Sequence, residues 1–368
     1  MSYYKGLVDE IILPGTQLPL NEDSFQGACW AMEIAQYRSD DMIERLKKIH
    51  DLGSGLSLHA RRSFWEAVYA LYPGAFVDEA RDFLNTASGP KLFAMAAYYL
   101  LGAEPCDSLK AYIESALKEN FSQDERENDP VLLVLQQSMR SKPQTPPLSD
   151  LLQSGPAGVP LIYVFLRQNR DYPGIALLRN ETGDWARDEK GNILHTRILG
   201  RAVSNLPGTI THGNTPQGIY TLLGTGTSEN VFIGPSRTII AGLPFEYDVS
   251  IRELNDYQSL LPDTWVNYFP IYEAWYAGQA GRSEIIIHGS TLLPELYECS
   301  PYYPLTPSLG CMTHYEKWSK NGRLIESDQH IMVEALLACK KQEGFIFVVE
   351  LDDKNRALEF SDIKDYLK

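Results

Sequence analysis

His288 and Cys311 are the pair in this chain whose types and spacing could do chemistry together. His288 ends the β-branched run "SEIIIHG" and is followed by Gly289; Ser308-Leu309-Gly310-Cys311 begins twenty residues after it. A thiol with a pKa of roughly 8.5 is only a few per cent thiolate at neutral pH. It becomes a working nucleophile when an imidazole takes its proton and stays beside it as imidazolium, which would also lower the thiol pKa. Gly310 lets the backbone turn sharply and offer N–H groups to a reacting carbonyl. Ser308 reads as the residue that fixes this turn through a side-chain hydrogen bond, and Gly289 allows chain or substrate to approach closely. These residues predict a Cys–His acyl-transfer site: Cys311 as nucleophile, His288 as base, and Gly289, Ser308 and Gly310 shaping the turn and the oxyanion site. The competing reading is a buried histidine and an inert cysteine.

Other residues compete for roles around this pair. His212, in "THGN", is a second His-Gly and reads as a loop residue lining the cleft. Tyr302 and Tyr303 lie between the base and the nucleophile, where they would wall a substrate groove. Trp265, Trp275 and Tyr276 could line a groove or pack a core. Cys299 is a loop thiol, with a Cys299–Cys311 disulfide as the alternative. The five cysteines are odd in number, scattered and without a CxxC pair, and the seven histidines show no HExxH spacing. Neither a disulfide framework nor a structural metal is expected.

The elements that must position these residues fall in two halves. At 368 residues the chain is long enough for two cores. Residues 24–139 read as helices. "SLKAYIESALKEN" carries Leu109, Tyr112, Ile113, Ala116 and Leu117 on one stripe, "RRSFWEAVYALYPG" repeats the pattern until Pro73-Gly74 stops it, and "PKLFAMAAYYLLG" is apolar almost all round, as an interior helix would be. "SKPQTPPLSD" (141–150) marks the seam. Beyond it, "PLIYVFLRQ", "GIALLRN", "GIYTLLG", "RTIIAGLPF", "SEIIIHG" and "GFIFVVEL" read as strands. One late helix, "SDQHIMVEALLACKKQ", is capped by Ser327 or Asp328, with Ile331, Val333, Ala335, Leu336 and Leu337 expected inward. The net charge of −15 argues against nucleic acid, because phosphate binding needs a basic face. No stretch approaches the roughly 18 apolar residues of a membrane span.

In this setting His288-Gly289 and Ser308-x-Gly310-Cys311, preceded by the turn Thr215-Pro216-Gln217-Gly218, resemble the L,D-transpeptidase catalytic domain over roughly residues 156–350. Its signature is His-Gly, a spacer, then Ser-His-Gly-Cys. Leu309 stands at the family's second histidine and Thr313 at its usual arginine or asparagine, so rate and substrate geometry are the properties put in question; His314 is a nearby substitute. The resemblance leaves the helical half unexplained and implies a mainly-β, sandwich-like L,D-transpeptidase-like catalytic domain (151–368); with the α-helical domain of unknown role read from its periodicity (residues 1–150), the expectation is an α+β multidomain chain. The resemblance also implies peptidoglycan stem peptides (muropeptides) as partners, no cofactor, and a thioacyl enzyme passed to an amine. The alternatives are an L,D-carboxypeptidase, with water as acceptor, and a non-catalytic envelope binding protein. The substrate implies the periplasm or cell envelope. "MSYYKGLVDE" has no apolar leader region, so the expectation is that Met1 follows a removed leader; the alternative is a cytoplasmic enzyme of recycled muropeptides.

Overall fold

The computed structural model describes residues 2–12, 21–87, 89–230, 232–246, 249–290 and 294–367. It divides into two compact units, residues 1–141 with 203–212, and residues 142–202 with 213–368.

The first unit is helical: α1 (Ser2–Ile12), α2 (Glu22–Ala35), α3 (Asp41–His50), α4 (Leu58–Leu71), α5 (Val77–Thr86), α6 (Pro90–Ala103), α7 (Asp107–Asn120), α8 (Gln123–Asn128) and α9 (Pro130–Ser138). Local chemistry sets its ends. Ser57 accepts from the Ala60 N–H at the start of α4, Ser122 and Glu125 form a reciprocal capping box on α8, and Asp129 caps α9. Every residue of α6 from Leu92 to Leu100 is buried, which is why its sequence has no polar face. Along α7, Leu109, Ile113, Ala116 and Leu117 are buried, whereas Tyr112 sits half-exposed and donates to the Arg81 carbonyl. Residues 203–212 belong to this unit, with Val203, Leu206 and Ile210 buried and Lys91 donating to Thr211.

The second unit is a closed barrel. Its strands are β1 (Leu161–Leu166), β2 (Gly174–Arg179), β3 (His195–Leu199), β4 (Gly218–Gly226), β5 (Thr238–Gly242), β6 (Ile285–Gly289), β7 (Met312–His314) and β10 (Glu343–Glu350), with β8 (Glu316–Trp318) and β9 (Leu324–Ser327) as a separate hairpin. The order around the barrel is β1-β10-β4-β5-β6-β7-β3-β2. This replaces the sandwich-like expectation, because β3 and β7, which carry too few apolar residues to announce themselves, close the sheet. Strand alternation sorts the side chains. Ile162, Val164, Tyr220, Ile287 and Met312 fill the barrel interior, while Tyr163, Phe165 and Phe347 face outward under a second core.

That outer core is built with α10 (Leu148–Ser154), α11 (Leu254–Ser259) and α12 (Glu273–Gln279). Leu148, Leu151 and Leu152 of α10 pack into it, so the boundary expected at residue 150 moves to 141/142. Trp265 and Trp275 are buried there as core residues rather than groove walls, and Tyr276 packs half-buried against them. The last helix, α13 (Asp328–Leu337), starts at Ser327, whose hydroxyl accepts from the His330 N–H. Its buried stripe is Gln329, Met332, Val333 and Leu336; Ile331 lies on the opposite face, 41% exposed, contrary to expectation.

Candidate active site

β6 and β7 are neighbouring parallel strands, with Ile287 opposite Met312 and His288 opposite Thr313. Ile287 and Met312 point into the barrel core, so His288 and Thr313 point away from it. Cys311 immediately precedes β7, and its sulfur lies 3.7 Å from the Glu284 carbonyl just before β6. The two proposed reacting residues therefore stand on adjoining chain segments of one sheet, about 8 Å apart at Cβ by strand spacing and rise. In the resting structure the sulfur faces Glu284 rather than the imidazole.

His288 is 2% exposed. Its Nδ1 lies 2.8 Å from the Gly289 carbonyl oxygen. A carbonyl only accepts, so the Gly289 contact favours the tautomer with the proton on Nδ1. Burial pushes the His288 pKa down to about 4, with neighbouring His314 adding to the effect and the Gly289 and Ile233 carbonyls opposing it. Burial likewise pushes the Cys311 thiol up; the Ile286 backbone N–H and the Arg282 guanidinium pull it back, and Glu284 adds to the rise. Both shifts run against the expected imidazolium–thiolate pair and favour the neutral thiol and imidazole, with desolvation the largest cause of each.

The turn before Cys311 is held from three sides. The Ser308 hydroxyl accepts from the Gly310 N–H at 3.0 Å and reaches the Cys311 carbonyl at 2.8 Å. Thr215, at the head of the Thr-Pro-Gln-Gly turn, donates to the Gly310 carbonyl at 3.0 Å. Arg282, buried at 5% exposure, donates from Nη1 to the Asn214 carbonyl at 2.8 Å and from Nη2 to the carbonyls of Gly213 at 2.6 Å and Gly310 at 3.3 Å. Gly310 has φ +113, and a Cβ there would lie 2.0 Å from Arg282 Nη2, so only glycine fits. Its own N–H is spent on Ser308 and is not an oxyanion donor. Since the peptide is planar and trans, pinning the Gly310 carbonyl turns the Cys311 N–H to the opposite side.

Gly289 is a packing requirement of another kind. A Cβ there would lie 2.1 Å from the carboxyl of Glu316. Glu316 is 4% exposed, and its Oε1 accepts from Ser236 at 2.6 Å and Ser327 at 2.7 Å. Burial holds its pKa above the usual carboxylate range. Neither Arg282 nor Glu316 stands out in the sequence, since neither lies in a recognisable motif. A cavity of 410 Å³ is lined in part by Ile240, Glu246, Glu284 and Ile286 but not by Cys311, whose sulfur lies 3.7 Å from the Glu284 carbonyl. A larger cavity of 690 Å³, beside Thr221, Lys341 and Phe345, contains none of these residues.

Several expected neighbours lie elsewhere. His314 points to the barrel side, its Nε2 3.0 Å from Thr196 Oγ1 and its Nδ1 2.7 Å from Gln329 Oε1; it cannot stand in for the histidine that Leu309 replaces. Leu309 is 40% exposed, and Thr313 is buried, donating to the Thr306 carbonyl at 2.7 Å. Tyr302 is packed with Tyr297, Leu199 and Leu305 under the Arg201 guanidinium and walls no groove, whereas Tyr303 is exposed. His212 belongs to the helical unit, where Nδ1 lies 3.3 Å from Glu66 Oε2. All five cysteines are free thiols, Cys299 among the exposed ones.

The buried imidazoles have a measurable consequence. Burial also pushes His314 down to about 4. A histidine that titrates at 6.5 unfolded and about 4 folded stabilises the fold fully above pH 6.5, and the contribution is lost as pH falls toward 4. Each is worth about 3 kcal/mol at most. Urea unfolding at pH 7 and pH 4.5 should show this loss, and His314→Gln should lose about 2 kcal/mol less between the two pH values than wild type. An identical loss in both proteins would mean that the histidine is not held neutral.

Comparison with protein-family models, curated proteins and solved structures returns no match for this chain.

Proposed function

We propose that this chain is a cysteine acyltransferase of the L,D-transpeptidase type acting on peptidoglycan stem peptides. The observation that carries the reading is the parallel β6–β7 pair, which sets a buried His288, hydrogen-bonded to the Gly289 carbonyl, and a turn-held Cys311 on one sheet. In the proposed reaction His288 Nε2 takes the Cys311 proton as the sulfur attacks the carbonyl that precedes a terminal D-amino acid. The oxyanion forms against the Cys311 N–H. The protonated imidazole then returns the proton to the departing amine, leaving a thioester. An incoming amine attacks that thioester and restores the thiol. Substrate binding must bring sulfur and imidazole together, as catalytic hydrogen bonds commonly tighten only in the complex.

Water as the acceptor would make the same site an L,D-carboxypeptidase. The amine is preferred because Glu284, whose carbonyl lies 3.7 Å from the sulfur, and Glu246 line a neighbouring cavity, and their carboxylates would attract an ammonium group. The reading carries the periplasm or envelope with it as the place of action. No helix among the described residues is long and apolar enough to cross a membrane.

Incubation with a disaccharide-tetrapeptide, followed by mass spectrometry, tests the proposal. A cross-linked dimer is the expected product. Loss of one D-amino acid with gain of water would replace transpeptidase by carboxypeptidase. No product from a folded protein with a free Cys311 thiol would overturn both in favour of a binding protein.

A further inference from the structure

The helical unit contains a cavity of 310 Å³. It opens between the end of α3, the 3-10 turn at Gly53–Gly55, the first half of α4, and α5. Four rings form its wall. His50 stacks on Phe64 at 5.3 Å and meets Trp65 and Phe83 edge-on at 5.5 and 5.8 Å. Phe64, Trp65 and Phe83 are buried, so the wall is apolar and fixed by packing. Burial lowers the His50 pKa below its ordinary value, which leaves the ring uncharged and adds no second cation.

Two opposite charges line the same cavity, the half-buried Arg61 from α4 and the exposed Asp82 from α5 at its mouth. Neither forms an ion pair among the described residues, although they share one small space. The Nε of Arg61 is buried and has no hydrogen-bond partner. A buried donor left unbonded costs about 1–3 kcal/mol, and nearly all such groups in folded proteins are satisfied. The cation asks for a carboxylate, the anion for an ammonium group, and the rings for an apolar body between them. A volume of 310 Å³ is at the lower end for small-molecule sites and too small for a nucleotide or a long peptide.

We propose that this cavity is a binding site for a small zwitterion with an apolar body, namely a free amino acid with an aromatic or branched side chain. Its carboxylate sits on Arg61, its ammonium group faces Asp82, and its side chain lies against Trp65, Phe64, Phe83 and His50. The site is independent of the acyl-transfer reading and survives if that reading fails.

Calorimetric titration of the full chain with L- and D-phenylalanine and L-leucine tests it, with 3-phenylpropionate and phenethylamine as controls lacking one charge each. Saturable binding of at least one amino acid is expected, at least tenfold tighter than either control. Arg61→Gln and Asp82→Asn should each weaken it tenfold or more while leaving the thermal midpoint unchanged. If one variant does not fold, the other still decides, and the change in Trp65 emission on binding, absent in Trp65→Phe, gives a second readout. No binding of any amino acid at millimolar concentration would overturn the proposal. So would equal binding of a singly charged control, or binding that ignores both substitutions.

Discussion

Replacing Cys311 with alanine should abolish covalent capture by a carbapenem, the acyl-donor mimic suited to an L,D-transpeptidase site, and lower turnover of a tetrapeptide stem by on the order of 10³-fold or more. The sulfur is the only group at the pinned turn able to form the acyl bond, because the Ser308 hydroxyl is occupied with the Gly310 N–H and the Cys311 carbonyl. Intact-mass measurement reads the adduct directly. His288→Gln should retain the thiol and lose two to four decades in acylation rate, the usual contribution of a positioned base. Its effect should be largest near neutrality, where the imidazole, held near 4, is fully available to accept a proton. An adduct that persists in Cys311→Ala and maps to the exposed Cys299 would remove Cys311 from the mechanism.

Part of this site can be read from the chain because its signals are local. Six strands and the interior helix α6 announce themselves through β-branched runs and all-round apolarity. The His-Gly and Ser-x-Gly-Cys segments mark a strand end and a tight turn by composition alone. β3 and β7 escape such reading: "HTRIL" and "MTH" are short and polar, and they are strands because barrel closure demands partners for their neighbours. The boundary near 150 shifts for a similar reason, since Leu148, Leu151 and Leu152 find their apolar partners on the barrel side. His314 resembles a substitute base only because it lies three residues from Cys311. Strand alternation sends it to the other face of β7, a one-residue difference that sequence proximity does not reveal. Electrostatics are the least legible. Whether a Cys–His pair rests charged or neutral depends on how deeply both are buried, and burial is a property of the assembled barrel.

Arg282 is where the fold and the chemistry of the proposed site depend on one side chain. Its guanidinium joins the strand leading to His288 with the Gly213–Asn214 backbone and the Gly310 carbonyl, and burial pushes its pKa down to about 10. Arg282→Met should destabilise the barrel unit by about 2–4 kcal/mol, because three buried carbonyl oxygens lose charged donors. The same change removes the positive charge that pulls the Cys311 thiol down, so the thiol pKa should rise further above its ordinary value. A purely structural role would lower stability and leave thiol acidity alone. Arg282→Lys separates the two: it keeps the charge but lacks the planar fork that reaches several carbonyls, so it should recover thiol acidity more fully than stability. Alkylation rate against pH, measured beside urea unfolding, reads both quantities in the same proteins. If wild type, Arg282→Lys and Arg282→Met titrate alike at Cys311, Arg282 holds the turn without tuning the nucleophile. If Arg282→Met also keeps wild-type stability, the three carbonyls do not depend on it.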